Sequence, residues 1–414
     1  MADSIDKSVT DTKTTVEIPG AEEVIQEQKE QIEKVQTEGG PVEIEMDEEG
    51  GAEISFDPNA ASPEGGEDHF SNLAEFLDDG ILSELAQNLS DKYTEYKESR
   101  ADWAQSYREG LDLLGFKYQR RTQPFRGASS VTHPVLAEAV AQFQATAYKE
   151  LLPSDGPVRT QILGDVTAPK QDQANRVKDF MNYQLMDQMK EYEPEFDQML
   201  FYLPLSGSTF KKVYYDDLLG RAVSKFVHSD DLVVPYSATS LEDAEAIVHV
   251  IKISENELRK QQVSGFYKDV ELGEPPVIEN QITQKEQELE GVTQNGNEDQ
   301  FTLLEFHMDL DLEGYEDLGE DGEPTGIKIP YIVTLDTANT QILSIRRNYE
   351  AEDKLKKKVN YFVQFKFLPG TGFYGFGLIH MIGGLTRTAT AALRQLLDAG
   401  TLANLPAGFK TRGV

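Results

Sequence analysis

The segment that most constrains this chain is its last long run. The turn Gly370-Thr-Gly372-Phe-Tyr-Gly375 leads into residues 376–404, which contain no proline and are rich in Ala, Leu and Thr. Apolar residues there recur at helical spacing, which predicts one helix about 40 Å long at 1.5 Å rise per residue. Leu385, Ala389, Ala392, Leu396 and Ala399 form one small-residue stripe, and Arg387 and Arg394 share another face. Gly383 and Gly384 lie inside the run and cost about 1 kcal/mol each relative to Ala. Their presence predicts close approach of a neighbouring backbone, or a bend. Such a helix suits tight packing beside copies of itself; the competing reading is an ordinary buried core helix.

Charge divides the chain just as sharply. The total is −34, but residues 1–70 contribute −16 (twenty acidic, four basic) and residues 271–326 another −16 (seventeen acidic, one basic). Residues 354–414 carry +8, with Asp398 their single acid. An acidic body with a basic end argues against general nucleic-acid affinity, which needs a basic surface. Cysteine is absent, which excludes disulfides and thiolate metal sites and fits a reducing compartment. Neither a secretory signal nor an apolar run of membrane-spanning length is visible.

Hydrophobic period then sets the organisation. Residues 1–68 are too polar to offset backbone ordering entropy, so they read as a disordered acidic tail, with a short helix over 21–35 as the one exception. Helical spacing runs over 71–114 and is closed by Gly115. A basic loop, 117–126, follows, and Pro134 opens a helix reaching Leu152. A short strand is expected over 158–164 and a helix over 170–203, interrupted near Pro194. The period then changes to two: 209–215 and 221–227 form a hairpin, and 246–253 a strand. Ser254 and Glu257 make a capping box. Residues 271–300 read as an acidic surface loop. Strands return at 301–312, 327–335, 341–347 and 359–368. The class is α+β, with helices first, an antiparallel strand region next and one long helix last.

Local motifs point away from catalysis. Gly370, Gly372 and Gly375 spell G-x-G-x-x-G between a strand and a helix. A dinucleotide site, however, needs a further strand with an acid at its end, and Asp398 falls inside the predicted helix. A P-loop and the kinase signatures are also missing. The turn is therefore read as structural, with a nucleotide-binding enzyme using 370–375 as a lesser alternative. Asp309, Asp311 and Glu313 would share one strand face, near Asp317, Glu320, Asp321 and Glu323; a solvated acidic face is favoured over a cation site. The six histidines show no ligand spacing, and Ser129, Ser130 and His133 lack a nucleophile elbow. The reading therefore holds no catalytic residue, no cofactor and no metal. The basic clusters at 119–126 and 354–358 are read as meeting acidic patches rather than phosphates.

Several ordered blocks carry a family resemblance. Gly372-Phe-Tyr-Gly-Phe-Gly-Leu-Ile-His380 and the helix to Leu-Asp-Ala-Gly400-Thr-Leu-Ala-Asn-Leu-Pro406 resemble the segment of tailed-bacteriophage portal proteins that enters the stem. Gly127-Ala-Ser-Ser-Val-Thr-His-Pro134 with Lys149-Glu-Leu-Leu-Pro-Ser-Asp-Gly-Pro157 is similar to the wing of those portals. So is the region of Gly207-Ser-Thr-Phe-Lys-Lys212 and Asp230-Asp-Leu-Val-Val-Pro235. The resemblance covers residues 70–414. It implies a wing domain over 69–370, a glycine turn and first stem helix over 371–406, and the start of a truncated clip at 407–414. It further implies a non-enzymatic ring, commonly of twelve subunits, at a capsid vertex of a virion assembled in the host cytoplasm. Double-stranded DNA would pass through that ring, with the terminase large subunit, major capsid and scaffold proteins and tail adaptors as partners. Arg387, Arg394, Lys410 and Arg412 are the candidate DNA-channel or inter-subunit contacts. Another virion assembly or scaffold protein is the alternative.

Overall fold

The computed structural model describes residues 43–46, 52–55 and 69–404, apart from 118–120, 217–218, 275–280, 292–299, 320–322 and 371. The chain divides into two compact units, 1–71 and 72–414. In the first, β1 (Glu43–Met46) pairs antiparallel with β2 (Ala52–Ser55). The sequence reading had no strands there. The helix expected over 21–35 and most of the expected disorder lie outside the described residues.

The second unit is mixed helix and antiparallel sheet, as the periods predict. Helix α1 (Asp79–Ser99) buries Leu82, Ala86 and Leu89. Helix α2 (Ala101–Leu111) follows after a break at Arg100, where φ is −108°. The break has a cause: the Arg100 guanidinium is buried and donates to the carbonyl oxygens of Ser229 (2.8 Å), Leu232 (3.1 Å) and Asp230 (2.5 Å). A charged donor buried with its acceptors satisfied is a strong tether. Gly115 ends this helical region at φ 71°, as expected for a left-handed terminus.

Helix α3 (Val135–Leu151) is followed by coil, and the strand expected over 158–164 does not form. Among the described residues no strand pairs with it. Instead the Asn182 side chain accepts from Val158 N (2.9 Å) and donates to Val158 O (3.3 Å), doing locally what a neighbouring strand would do. Helix α4 (Ala168–Tyr183) runs into a π turn, Gln184–Gln188, before α5 (Tyr192–Ser206). The interruption therefore precedes Pro194, which sits in the first turn of α5, where a missing N–H breaks no helical bond.

Strands β3 (Ser208–Asp216), β4 (Arg221–Val227) and β10 (Phe362–Lys366) form a three-stranded sheet in the order β10-β3-β4. A five-stranded sheet has the order β5-β6-β7-β8-β9, from β5 (Leu232–Val233), β6 (Ala246–Ser254), β7 (Gln300–Leu310), β8 (Ile329–Asp336) and β9 (Gln341–Arg347). Period-two alternation divides its faces, reset once in β9 by the irregularity opposite Thr334 and Leu335, which turns Leu343 and Ile345 to opposite sides. Val248, Leu304, Phe306, Tyr331 and Ile345 meet α1, whereas Phe301, Leu303 and Leu343 meet Leu258 of α6 (Glu255–Val263). At the edge, Asn72 donates to Leu343 O and accepts from Ile345 N, both at 3.0 Å, which satisfies part of β9's open side. Ser254 caps α6 by accepting from Glu257 N, the capping-box bond that the sequence predicts.

The acidic loop expected over 271–300 needs correction. Residues Gln281–Glu290 form a helix, α7, with Ile282 buried. This stretch lacks Gly and Pro, and Ile282 and Leu289 fall seven apart on one face, so tertiary contact prevails over an acidic composition. The expected carboxylate face at 309–313 is also shorter than predicted, because β7 ends at Leu310. Lys356 from the second basic cluster reaches Asp317 at 2.5 Å, so the two charge runs meet there.

Candidate assembly helix and its seat

Helix α8 (Leu378–Asn404) is the long terminal helix expected from the sequence. Its glycine-rich approach is shaped by backbone contact. A Cβ on Gly375 would fall 2.6 Å from Gly207 O and 2.9 Å from Leu368 O, and one on Gly377 would collide with the Leu205 carbonyl. Neither position has room for a side chain. Gly375 N donates to Ser208 Oγ (2.7 Å), Phe376 N to Leu368 O (2.8 Å), and Gly377 N to His380 Nδ1 (3.1 Å). These amides, which a phosphate cradle would need free, are already bonded within the chain. The geometry favours the structural reading of the turn over the nucleotide one.

One face of α8 is bound to the body. Ile379 enters an apolar cluster with Tyr107, Leu111, Leu136, Val140, Leu205 and Ile282. Gly110 leaves space for it, since a Cβ there would overlap the Ile379 side chain. Gly383 is buried with Leu113 3.4 Å from where its Cβ would be, whereas Gly384 faces open space. The expected close approach therefore concerns Gly383 alone, against a side chain.

Farther along, three side chains four residues apart form a ladder. Thr390 Oγ1 accepts from His133 N (3.0 Å), Arg394 Nε donates to Val131 O (2.6 Å), and Asp398 Oδ1 accepts from Ser129 N (2.6 Å). Arg394 also donates to Thr132 Oγ1 (3.2 Å). Burial, with Arg121 nearby, holds the Arg394 guanidinium below its ordinary value. The segment carrying Ser129, Ser130 and His133 is thus strapped along α8 by hydrogen bonds.

The other face of α8 has no cover within the described chain. Met381 is 56% exposed, Leu385 63%, Leu396 71% and Leu402 54%. Leu385, Ala392, Leu396 and Ala399 of the predicted stripe all point outward, and Ala389 is half-buried. Single exposed apolar residues are ordinary, but a row of them along one helix marks an interaction surface.

The candidate basic residues separate in this geometry. Arg387 is exposed and, among the described residues, bonds Glu109 at 3.3 Å. Arg394 holds the 130–132 carbonyls and hydroxyl. Lys410 and Arg412 lie outside the described residues. Sequence reasoning missed Arg100, Thr390 and Tyr374. It considered Asp398 as a failed nucleotide ligand and as the single acid of a basic segment, without assigning it a partner. Tyr374 donates to Leu232 O (3.0 Å), accepts from Arg100 (3.1 Å) and stacks on Trp103 at 4.8 Å, fastening the glycine turn to α2. Asp398 alone offered a signal, as the single acid in a basic segment.

Among the described residues no group of three His, Asp or Glu side chains could hold a metal ion. The closest approach to one lies between the sheets, where Glu305 meets His307 Nε2 at 2.7 Å and His249 at 3.8 Å. Lys212 Nζ already supplies the cation there, 2.6 and 2.7 Å from the two Glu305 oxygens. An open groove of about 420 Å³ lies between α3 and α5, lined by Ala141, Gln144, Tyr148, Glu193 and Asp197. Glu193 and Asp197 already accept from Tyr148 and Gln144. No helix among the described residues is long and apolar enough to cross a membrane.

The second unit is thus an α+β body with one long helix, latched on one side and, on the other, covered by none of the described residues of that unit. No protein-family profile matches the chain, and no curated protein matches it.

Proposed function

We propose that the chain is the subunit of a portal ring at the vertex of a tailed-bacteriophage capsid, a structural protein through which double-stranded DNA is packaged and ejected. The observation that carries this reading is the two-sided character of α8. Its inner face is fixed by the Thr390, Arg394 and Asp398 ladder. Its outer face displays Leu385 and Leu396, more than half exposed, at the spacing that helix-to-helix packing uses. In a ring, copies of α8 cover that stripe for one another. Terminase large subunit, major capsid and scaffold proteins and tail adaptors would dock on the assembled ring. Arg387, exposed and weakly paired, is the better candidate for the channel or the subunit boundary; Arg394 acts within the subunit.

Negative-stain images of the purified chain test this reading. Closed rings with a central channel are expected; particles of monomer size at every concentration would overturn it. Charge reversal at Arg387, which breaks one surface pair, should leave folding unchanged and lower DNA packaging. Normal packaging would remove Arg387 from the account.

A further inference from the structure

Helix α7 rests on the same apolar cluster that seats α8, through Ile282 and Leu289. Around that contact is a rim of polar bonds: Lys285 to Asp112 (2.7 Å), Lys117 to Glu288 (2.6 Å), Lys252 to Thr283 (3.4 Å), and Arg108 to Gln281. Beneath them Glu286 turns inward, its Oε1 3.6 Å from His228 Nε2 and with no lysine or arginine partner among the described residues. His228 Nδ1 accepts from Asp230 N (3.1 Å), which leaves the ring proton on Nε2. That nitrogen lies 3.3 Å from Tyr107 Oη, and Tyr107 in turn donates to Glu286 Oε1 at 3.4 Å. The chain of bonds therefore runs from a neutral imidazole through a phenol to the carboxyl.

Of the titratable groups packed on Glu286, the acids oppose its ionisation, and the Tyr107 hydrogen bond offsets this only in part. From the β4–β5 connection come Asp230 and Asp231, from α7 itself Glu290, from α2 Tyr107, and from α5 Tyr202. The nearby cations are committed elsewhere: Arg100 binds Asp230 at 3.2 Å, and Lys252 reaches Thr283.

We propose that α7 is an acid-tightened clasp on the seat of the long helix, held down by protonated Glu286 and loosened when that carboxyl ionises among Asp230, Asp231 and Glu290. Burial, with Asp230 and Asp231 adding to it, pushes the Glu286 carboxyl up to about 8. Burial likewise pulls His228 down to about 4, so the docked ring stays neutral. An undocked imidazole takes a proton below about 6.5, which offsets about tenfold of the acid gain by pH 5.5. A carboxyl raised on docking favours the docked state fully below its free value, about 4.3. That advantage is lost as the pH rises to about 8. The clasp does not depend on the portal reading, but it gives that reading a way to couple charge state to the base of α8.

Hydrogen exchange on the full chain, corrected for intrinsic chemical exchange, tests the clasp. Protection of 281–290 should fall by at least about tenfold between pH 5.5 and pH 8.5, while protection of 300–310 does not follow it. Glu286→Gln, which cannot ionise, should keep 281–290 protected at pH 8.5. Equal loss in Glu286→Gln and wild type would overturn the proposal. So would flat protection of 281–290 in the wild type, a result that stands even if the variant fails to fold.

Discussion

Glu305 and Glu286 are both carboxyls buried among histidine and aromatic neighbours, yet the fold treats them in opposite ways. Glu305, on β7, faces Lys212 of β3 at 2.6 and 2.7 Å and His307 at 2.7 Å. Burial alone would raise it, but Lys212 and the two histidines bring it well below the usual carboxylate range. Glu286 is somewhat less buried, its side chain 22% exposed against 12%. It has no lysine or arginine partner among the described residues, lies near Asp230 and Asp231, and rises to about 8. Burial therefore does not decide the charge state; the presence of a counter-charge does. The Glu305 cluster is a permanent joint between the two sheets, whereas Glu286 makes a joint that can open.

The sharpest way to break this contrast is to remove the counter-charge. Lys212→Met leaves Glu305 buried and uncompensated and should cost about 3–5 kcal/mol in denaturant unfolding. It should also make Glu305 resemble Glu286, so that acidification narrows the gap to wild type. A variant as stable as wild type at neutral pH would refute the joint.

Next in size is the turn. Gly375→Ala places a Cβ against the Gly207 and Leu368 carbonyls and should cost about 2–3 kcal/mol, read as a lowered denaturation midpoint. Gly384→Ala, where nothing lies within 4 Å, should be neutral or stabilise by up to about 1 kcal/mol. The same glycine dipeptide thus contains one constrained site, Gly383, and one free one.

The pH response of the wild type follows the two carboxyls. Burial lowers His249 and His307, with Glu305 partly offsetting it. Groups depressed on folding contribute stability above their unfolded values, and that stability is lost as the pH falls. The sheet body should therefore begin to weaken below about pH 6.5 and weaken further below about 4.3, where Glu305 adds to the loss. The α7 seat should tighten over that same descent. Thermal melts and exchange at 281–290 should move in opposite directions; parallel movement would refute the comparison. The smallest effect is expected at the ladder. Thr390→Val removes the acceptor for His133 N and should cost about 1 kcal/mol.

Much of this was legible in the sequence. The long helix could be placed because residues 376–404 lack proline and keep one apolar period. The hairpin at β3 and β4 and the Ser254 cap were equally local. The ladder was not legible, because Thr390 meets a partner 257 positions away, and no spacing rule joins two such segments. Helix α7 was hidden by its acidic composition, since only Ile282 and Leu289 marked a buried face. The strand expected at 158–164 failed for the converse reason: local alternation is not enough without a neighbouring strand. Arg100 gave no sign at all, for its acceptors are backbone carbonyls at 229–232.

The central claim is that the outer stripe of α8 is covered by other copies of the chain, and sedimentation velocity tests it most directly. Wild type should sediment as a closed multi-subunit species, and the double variant Leu385→Asp with Leu396→Asp as a folded monomer with unchanged circular dichroism. A wild type that stays monomeric, or a double variant that keeps the wild-type assembly, would contradict the account.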